Sequence, residues 1–98
     1  MTFMQIIEFR TNKPEEIRSG GEEYERALAG KHKVRRRVVA EDRDDPGRYF
    51  LMAFFDTYEE AMENSAMPET DALSKRMVEL VDGAPTFHNF DILEERQF

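Results

Sequence analysis

Apolar positions along the chain change period several times, and each change marks an element. Residues 3–10, FMQIIEFR, are short and rich in Phe and Ile, as a strand requires. Asn12-Lys13-Pro14 is a turn signal that places Pro14 at the first helical position, where its missing N–H costs nothing. Glu15 and Glu16 follow in the first turn, on the favourable side of the helix dipole. Ile17, Tyr24 and Leu28 then fall on one helical stripe. Gly20-Gly21 interrupts it, each glycine costing about 1 kcal/mol relative to alanine, so the pattern leaves open a bend or a start near Glu22. Gly30 is placed to stop the helix.

Residues 33–42 and 48–55 are β-rich segments around Asp44-Asp45-Pro46-Gly47 and predict an antiparallel hairpin. Thr57 and Glu60 have capping-box spacing and open a short helix that carries Ala61, Met62 and Asn64. Pro68 starts a further helix with a stripe of Leu73, Met77, Leu80 and Val81, ended by Gly83-Ala84-Pro85. Residues 86–94 make the last strand, with the final residues as a tail.

The order β, α, β, β, α in two pieces, β predicts an α+β, ferredoxin-like βαββαβ sandwich with an antiparallel sheet. Alternation supports it. The third strand is apolar on both faces, with Tyr49, Leu51, Ala53 and Phe55 on one and Phe50, Met52 and Phe54 on the other. The first is nearly so, with Phe3, Ile7 and Phe9 opposed to Met4 and Ile6. The second and fourth carry Arg35, Arg37, Asn89 and Asp91, which suits edges, so strand order 4-1-3-2 is expected. Helices cover only one face of such a sheet. The other would expose more apolar surface than a monomer tolerates, and a second copy of the chain is the expected cover. The expectation is a homodimer joined through its sheet faces.

Composition narrows the function. The 98 residues leave room for one domain and no second core. Without cysteine there is no disulfide, thiolate metal site or cysteine nucleophile. The segment MTFMQIIEFR lacks the basic start of a secretory leader, and no apolar run approaches the ~20 residues that span a bilayer, so a cytoplasmic location without membrane contact is expected. A net charge of −7 argues against general nucleic-acid binding, which needs clustered Lys and Arg.

From the hairpin onward the chain reads DRDDPGRYFLMAFFDTYEEAMENSAMPETDALSKRMVELVDGAPTFHNFDIL. This run resembles the antibiotic biosynthesis monooxygenase-like branch of the dimeric α+β barrel superfamily. The carriers are the aromatic third strand leading into FFDTYEEAMENS, the PET that opens the long helix, and the DGAPTFHNFDI entry to the last strand. The resemblance implies a pocket between sheet and helices for a flat polycyclic substrate, oxygenated without a cofactor through its own electron-rich ring. Haem-degrading relatives need a tryptophan and a helix-borne histidine. The chain has no tryptophan, His32 precedes the second strand and His88 lies in the fourth, so haem is not expected.

Candidate site residues each have a plainer reading. Arg35 and Arg37 project to one face and Arg36 to the other, and at a pocket mouth they would hold a carboxylate or phenolate by paired hydrogen bonds. On a solvated edge strand they would instead block unwanted pairing. His88, between Phe87 and Asn89 and near Phe90, would serve as a general base if a partner oriented it, and otherwise is structural. Asn64 and Ser65 fall where the two helical pieces meet, to cap a helix end or to bind a ligand carbonyl. Tyr24, Tyr49 and Tyr58 would orient a phenolic substrate or pack in the core with hydroxyls reaching water. Distant histidines among scattered carboxylates make no metal motif.

Three functions remain to be separated. An enzyme acting on a small flat hydrophobic molecule requires a cavity of roughly 300 Å³ or more with converging polar groups. A non-catalytic ligand-binding or dimerisation module would have that space filled by Phe, Met and Tyr. A nucleic-acid binder would use the arginine strand.

Overall fold

The computed structural model describes residues 2–31 and 33–98. His32, one of the chain's two histidines, lies outside the described residues. The elements are β1 (Phe3–Arg10), α1 (Pro14–Ala27), β2 (Arg36–Glu41), β3 (Arg48–Phe55), α2 (Tyr58–Ser65), α3 (Pro68–Leu80) and β4 (Thr86–Asp91). The strands form one antiparallel sheet in the order β2-β3-β1-β4. This is the ferredoxin-like arrangement, with the apolar strands central and the arginine-bearing strand at an edge, as the alternation predicts.

Some boundaries differ from the sequence reading. α1 runs unbroken through Gly20 and Gly21, both of which are buried. The missing side chain of Gly21 makes room for an arginine, since a Cβ there would lie 2.9 Å from Arg37 Nη1, whereas one on Gly20 would meet Arg76 Nε at an ordinary 3.5 Å. At Gly21 the intrinsic helix penalty goes with the close approach of the Arg37 guanidinium to the helix. β2 begins only at Arg36, although the Arg35 N–H already donates to the Phe54 carbonyl at 2.8 Å. β4 ends at Asp91, short of the expected residue 94, and the Ile92 N–H donates to the Thr2 carbonyl at 2.9 Å. α2 extends through Ser65, opened by the expected Thr57 cap, whose Oγ1 accepts from the Glu60 N–H at 3.0 Å. The reciprocal half of the capping box is missing: Glu60 Oε2 is buried without a hydrogen-bond partner among the described residues.

The sheet register fixes which side chains share a face. Phe3 pairs with Phe55, Ile7 with Leu51 and Phe9 with Tyr49, all toward the helices. Met4, Ile6, Phe50, Met52 and Phe54 occupy the opposite face, which no helix covers. Arg36 lies over the Phe54 ring there, at 5.3 Å from its centroid.

On the helix side, tight packing is confined to the two ends of the sheet. At one end Phe3, Phe55 and Ala61 form a buried cluster beneath α2. At the other, Phe9 stacks on Tyr49 with ring centroids 5.7 Å apart. Nearby, the buried Thr11 hydroxyl donates to the Leu80 carbonyl at 2.6 Å, and the Asp82 N–H donates to the Arg10 carbonyl at 2.7 Å, tying the end of α3 to the end of β1. α1 and α3 pack on each other across the middle, yet α3 buries no residue fully. Leu73 and Met77 stay half-exposed because the space under them is not filled by the sheet.

Candidate functional site

That unfilled space is a cavity of about 1050 Å³ between sheet and helices. Its floor is apolar, built from Ile7, Phe9, Leu51, Ala53 and Phe55 of the central strands. α1 and α3 supply the roof through Ile17, Leu73 and Met77. The volume exceeds the lower bound for a small-molecule pocket, and the aromatic side chains do not fill it. A filled core, the expectation for a non-catalytic ligand-binding or dimerisation module, is therefore not what the residues build.

Polar side chains meet at the α2–α3 junction. Asn64 is 7% exposed and lines the cavity. Its Nδ2 donates to the Tyr24 hydroxyl at 2.9 Å, and its Oδ1 accepts from the Lys33 N–H at 3.5 Å. The Tyr24 hydroxyl lies 2.8 Å from Thr70 Oγ1, which donates to the Asn64 carbonyl at 2.7 Å. Asn64 thus does more than cap a helix end: its side chain joins α2 to α1 and to the segment before β2. Thr70 is a member of this cluster that sequence pattern does not reveal, because its partners are distant in the chain.

Arg37 stands at the rim. Its guanidinium rises from the edge strand toward α1, with Nη2 2.7 Å from Glu25 Oε1 and the remainder against Gly21. It lines both the cavity and a shallower neighbouring depression of about 440 Å³. Arg35, expected on the same face, instead turns to Asp56 with Nε and Nη2 at 2.9 and 2.8 Å, exposed and outside the large cavity. Tyr49 lines the cavity. Its partial burial and then its hydrogen bond to Glu41 raise the phenol above its ordinary pKa, so it is a neutral donor at physiological pH. Tyr58 packs edge-on against Phe3 at 5.4 Å and is half-exposed outside the cavity.

His88 points to the uncovered face, away from the cavity, where it stacks beside Phe90. Its Nε2 lies 3.7 Å from Glu8 Oε1. Glu8 in turn accepts from Arg48 Nε at 2.9 Å, and Arg48 also reaches Asp42. The partner that sequence alone does not supply comes from the neighbouring strand. Among the described residues, no three His, Asp or Glu side chains gather as metal ligands would, and no helix is long and apolar enough to cross a membrane.

No family model and no curated protein sequence matches the chain. Solved structures do. SnoaB, a cofactor-independent oxygenase from Streptomyces nogalater, superposes with a TM-score of 0.80 at 15% identity, over 96% of this chain and 95% of that one. The chain has the antibiotic biosynthesis monooxygenase-like fold. Rv0793 from Mycobacterium tuberculosis matches with a TM-score of 0.80 at 14% identity, covering 99% of this chain and 100% of its own. A protein from Caulobacter crescentus, provisionally named an antibiotic biosynthesis monooxygenase, gives 0.81 at 12% identity over 95% and 91%. At these identities the likeness carries the monooxygenase-like fold, and the chemistry must be argued from the cavity.

Proposed function

We propose that the chain is a cofactor-free, oxygenase-like enzyme whose substrate is a small, flat, aromatic or hydrophobic molecule held between sheet and helices. The observation that carries this reading is the cavity of about 1050 Å³ with an apolar floor and Asn64, Tyr24, Thr70, Arg37 and Tyr49 on its walls. An apolar enclosure with few polar groups orients a ring system and keeps bulk water from it. In such a reaction the substrate supplies the electrons. A CH₂ group flanked by aromatic rings loses a proton, the carbanion reduces O₂, and the resulting hydroperoxide loses water, so that substrate and O₂ give a carbonyl product and H₂O. The protein's part is to position the ring and donate a hydrogen bond to its oxygens, a task for which the second Nδ2 hydrogen of Asn64 is suited.

The satisfied bonds among Asn64, Tyr24 and Thr70 favour a second reading, a non-catalytic ligand-binding module, because none of these groups is left waiting for a proton. Titration with an anthrone, a quinone and a porphyrin, followed by oxygen uptake with the anthrone, separates the readings. The enzyme reading expects saturable binding and one O₂ consumed per quinone formed. Saturable binding without oxygen uptake supports the second. Absence of binding across all three in folded protein removes both.

The working unit on this reading is one domain per protomer, in a cytoplasmic homodimer. The uncovered sheet face, with Met4, Ile6, Phe50, Met52 and Phe54, supports pairing with a second copy through that face.

A further inference from the structure

We propose that Thr70 is a positioning residue that acts through Tyr24 to fix which way the Asn64 amide points. The ligand selected by that arrangement is a flat aromatic ketone, whose oxygen accepts the amide hydrogen left over. The inference rests on the cavity being a ligand site, as proposed above, and names the functional group that the site selects.

Each of the three helices contributes one member to a closed ring of hydrogen bonds. Asn64 Nδ2 of α2 lies 2.9 Å from the Tyr24 hydroxyl of α1, and that hydroxyl lies 2.8 Å from Thr70 Oγ1 of α3. Thr70 closes the ring on the Asn64 main-chain carbonyl at 2.7 Å. That carbonyl dictates the direction of every bond, because it can only accept. Thr70 has one proton and spends it there, so its oxygen must accept from Tyr24. Tyr24 has then spent its own proton, and its oxygen must accept from Asn64. The nitrogen of the amide, and not its oxygen, therefore faces Tyr24. Oδ1 is turned instead to the Lys33 N–H at 3.5 Å.

The cavity lies on the nitrogen's side. Asn64, Tyr24 and Thr70 line it, whereas Lys33 does not. Asn64 is 7% exposed, and Tyr24 takes one of its two Nδ2 hydrogens. The second is left for a ligand. Thr11, also buried at the cavity wall, has no donor to spare: its hydroxyl donates to the Leu80 carbonyl and accepts from the Lys13 N–H at 3.0 Å. Tyr49 is engaged with Glu41. A buried amide hydrogen without an acceptor costs free energy, and a ketone oxygen on an otherwise apolar ring system supplies one. Glu15, Glu22 and Glu25 line the same cavity and disfavour a carboxylate in that place. Without the Thr70 hydroxyl the Tyr24 proton would lose its acceptor and turn toward the amide oxygen, so the amide would no longer keep one orientation.

The test uses the full chain with 9-fluorenone and fluorene, flat tricyclic molecules that differ by a ketone in place of a CH₂. Equilibrium dialysis gives the ratio of their affinities, and infrared difference spectra give the carbonyl stretch of bound fluorenone. In wild type that stretch is expected below its value in cyclohexane, the mark of an accepted hydrogen bond. Thr70→Val keeps the shape and removes the hydroxyl. It should lower the fluorenone-to-fluorene ratio about two- to tenfold, the scale of one neutral hydrogen bond, and return the stretch toward the cyclohexane value. Thr70→Ser keeps the hydroxyl and should keep both readings. An unshifted stretch in fluorenone-bound wild type overturns the proposal while leaving the cavity reading intact. So does a ratio that Thr70→Val leaves unchanged or raises, a rise marking a Tyr24 proton released to the probe. A loss in Thr70→Ser equal to that in Thr70→Val assigns the effect to packing and also overturns it. Should Thr70→Val not fold, Tyr24→Phe opens the ring at another member and carries the same expectation. If neither compound binds folded wild type, the cavity reading itself fails and takes the positioning role with it.

Discussion

Asn64 donates to the Tyr24 hydroxyl at 2.9 Å across 40 residues of sequence, and this bond joins α2 to α1 at the wall of the cavity. Both partners then depend on each other for their geometry. Removing one leaves the other's polar atom partly buried without its bond, a loss of about 1–3 kcal/mol. Asn64→Ala and Tyr24→Phe should each lower stability on that scale. The double variant should cost less than their sum, because the shared bond is lost only once. Urea denaturation of the four proteins measures the coupling, and strict additivity would show that the two side chains act independently.

Gly20 and Gly21 are adjacent in α1 but should answer differently to alanine. A Cβ on Gly20 meets Arg76 at an ordinary 3.5 Å, so the helix gain of about 0.5–1 kcal/mol should appear as a higher Tm. On Gly21 the same gain is opposed by displacement of the Arg37 guanidinium from 2.9 Å. Gly20→Ala should therefore be the more stabilising substitution, and equal Tm gains would mean that Arg37 does not rest on the helix.

The pH response has opposite signs at the two ends. The Arg10 hydrogen bond lowers the Asp45 carboxyl, and the Lys31 hydrogen bond lowers that of Glu69. A depressed carboxyl contributes stability above its unfolded pKa of about 4 and loses it as pH falls through the folded value. Partial burial and Glu41 raise the Tyr49 phenol, which contributes below its unfolded pKa of about 10 and loses that contribution as pH rises through the folded value. Asp45→Asn should flatten the acid limb of the stability curve and Tyr49→Phe the alkaline limb, as read from denaturation midpoints between about pH 3 and pH 11.

Met52 pairs with Ile6 at the centre of the uncovered sheet face. A charge there opposes burial against a second copy without entering the helix-side packing. Met52→Lys should give a monomer by sedimentation equilibrium at micromolar concentration, with the circular dichroism of the parent. A parent chain that already sediments as a monomer would remove the proposed sheet-face dimer.

Element order, strand order and the placement of arginines at an edge were legible because they follow from local periodicity and alternation. The cavity was not. Leu73 and Met77 fall at helical spacing whether the stripe meets another side chain or open space, so periodicity reads them as core either way. His88 illustrates a second limit, since its partner Glu8 is set by the register between β4 and β1. Asp91, the near carboxylate in sequence, points to the opposite face. Gly20-Gly21 reads as a weak point because propensity is local, whereas the need for space at Gly21 comes from Arg37 on another element.

Along β3, Leu51 lines the cavity while its neighbour Met52 faces the other way, so a partition one peptide thick divides two compartments. Whatever fills one compartment presses on the same backbone as whatever covers the other. Thermodynamic linkage then makes the traffic symmetrical: if a bound aromatic guest tightens self-association by some factor, self-association tightens the grip on the guest by that same factor.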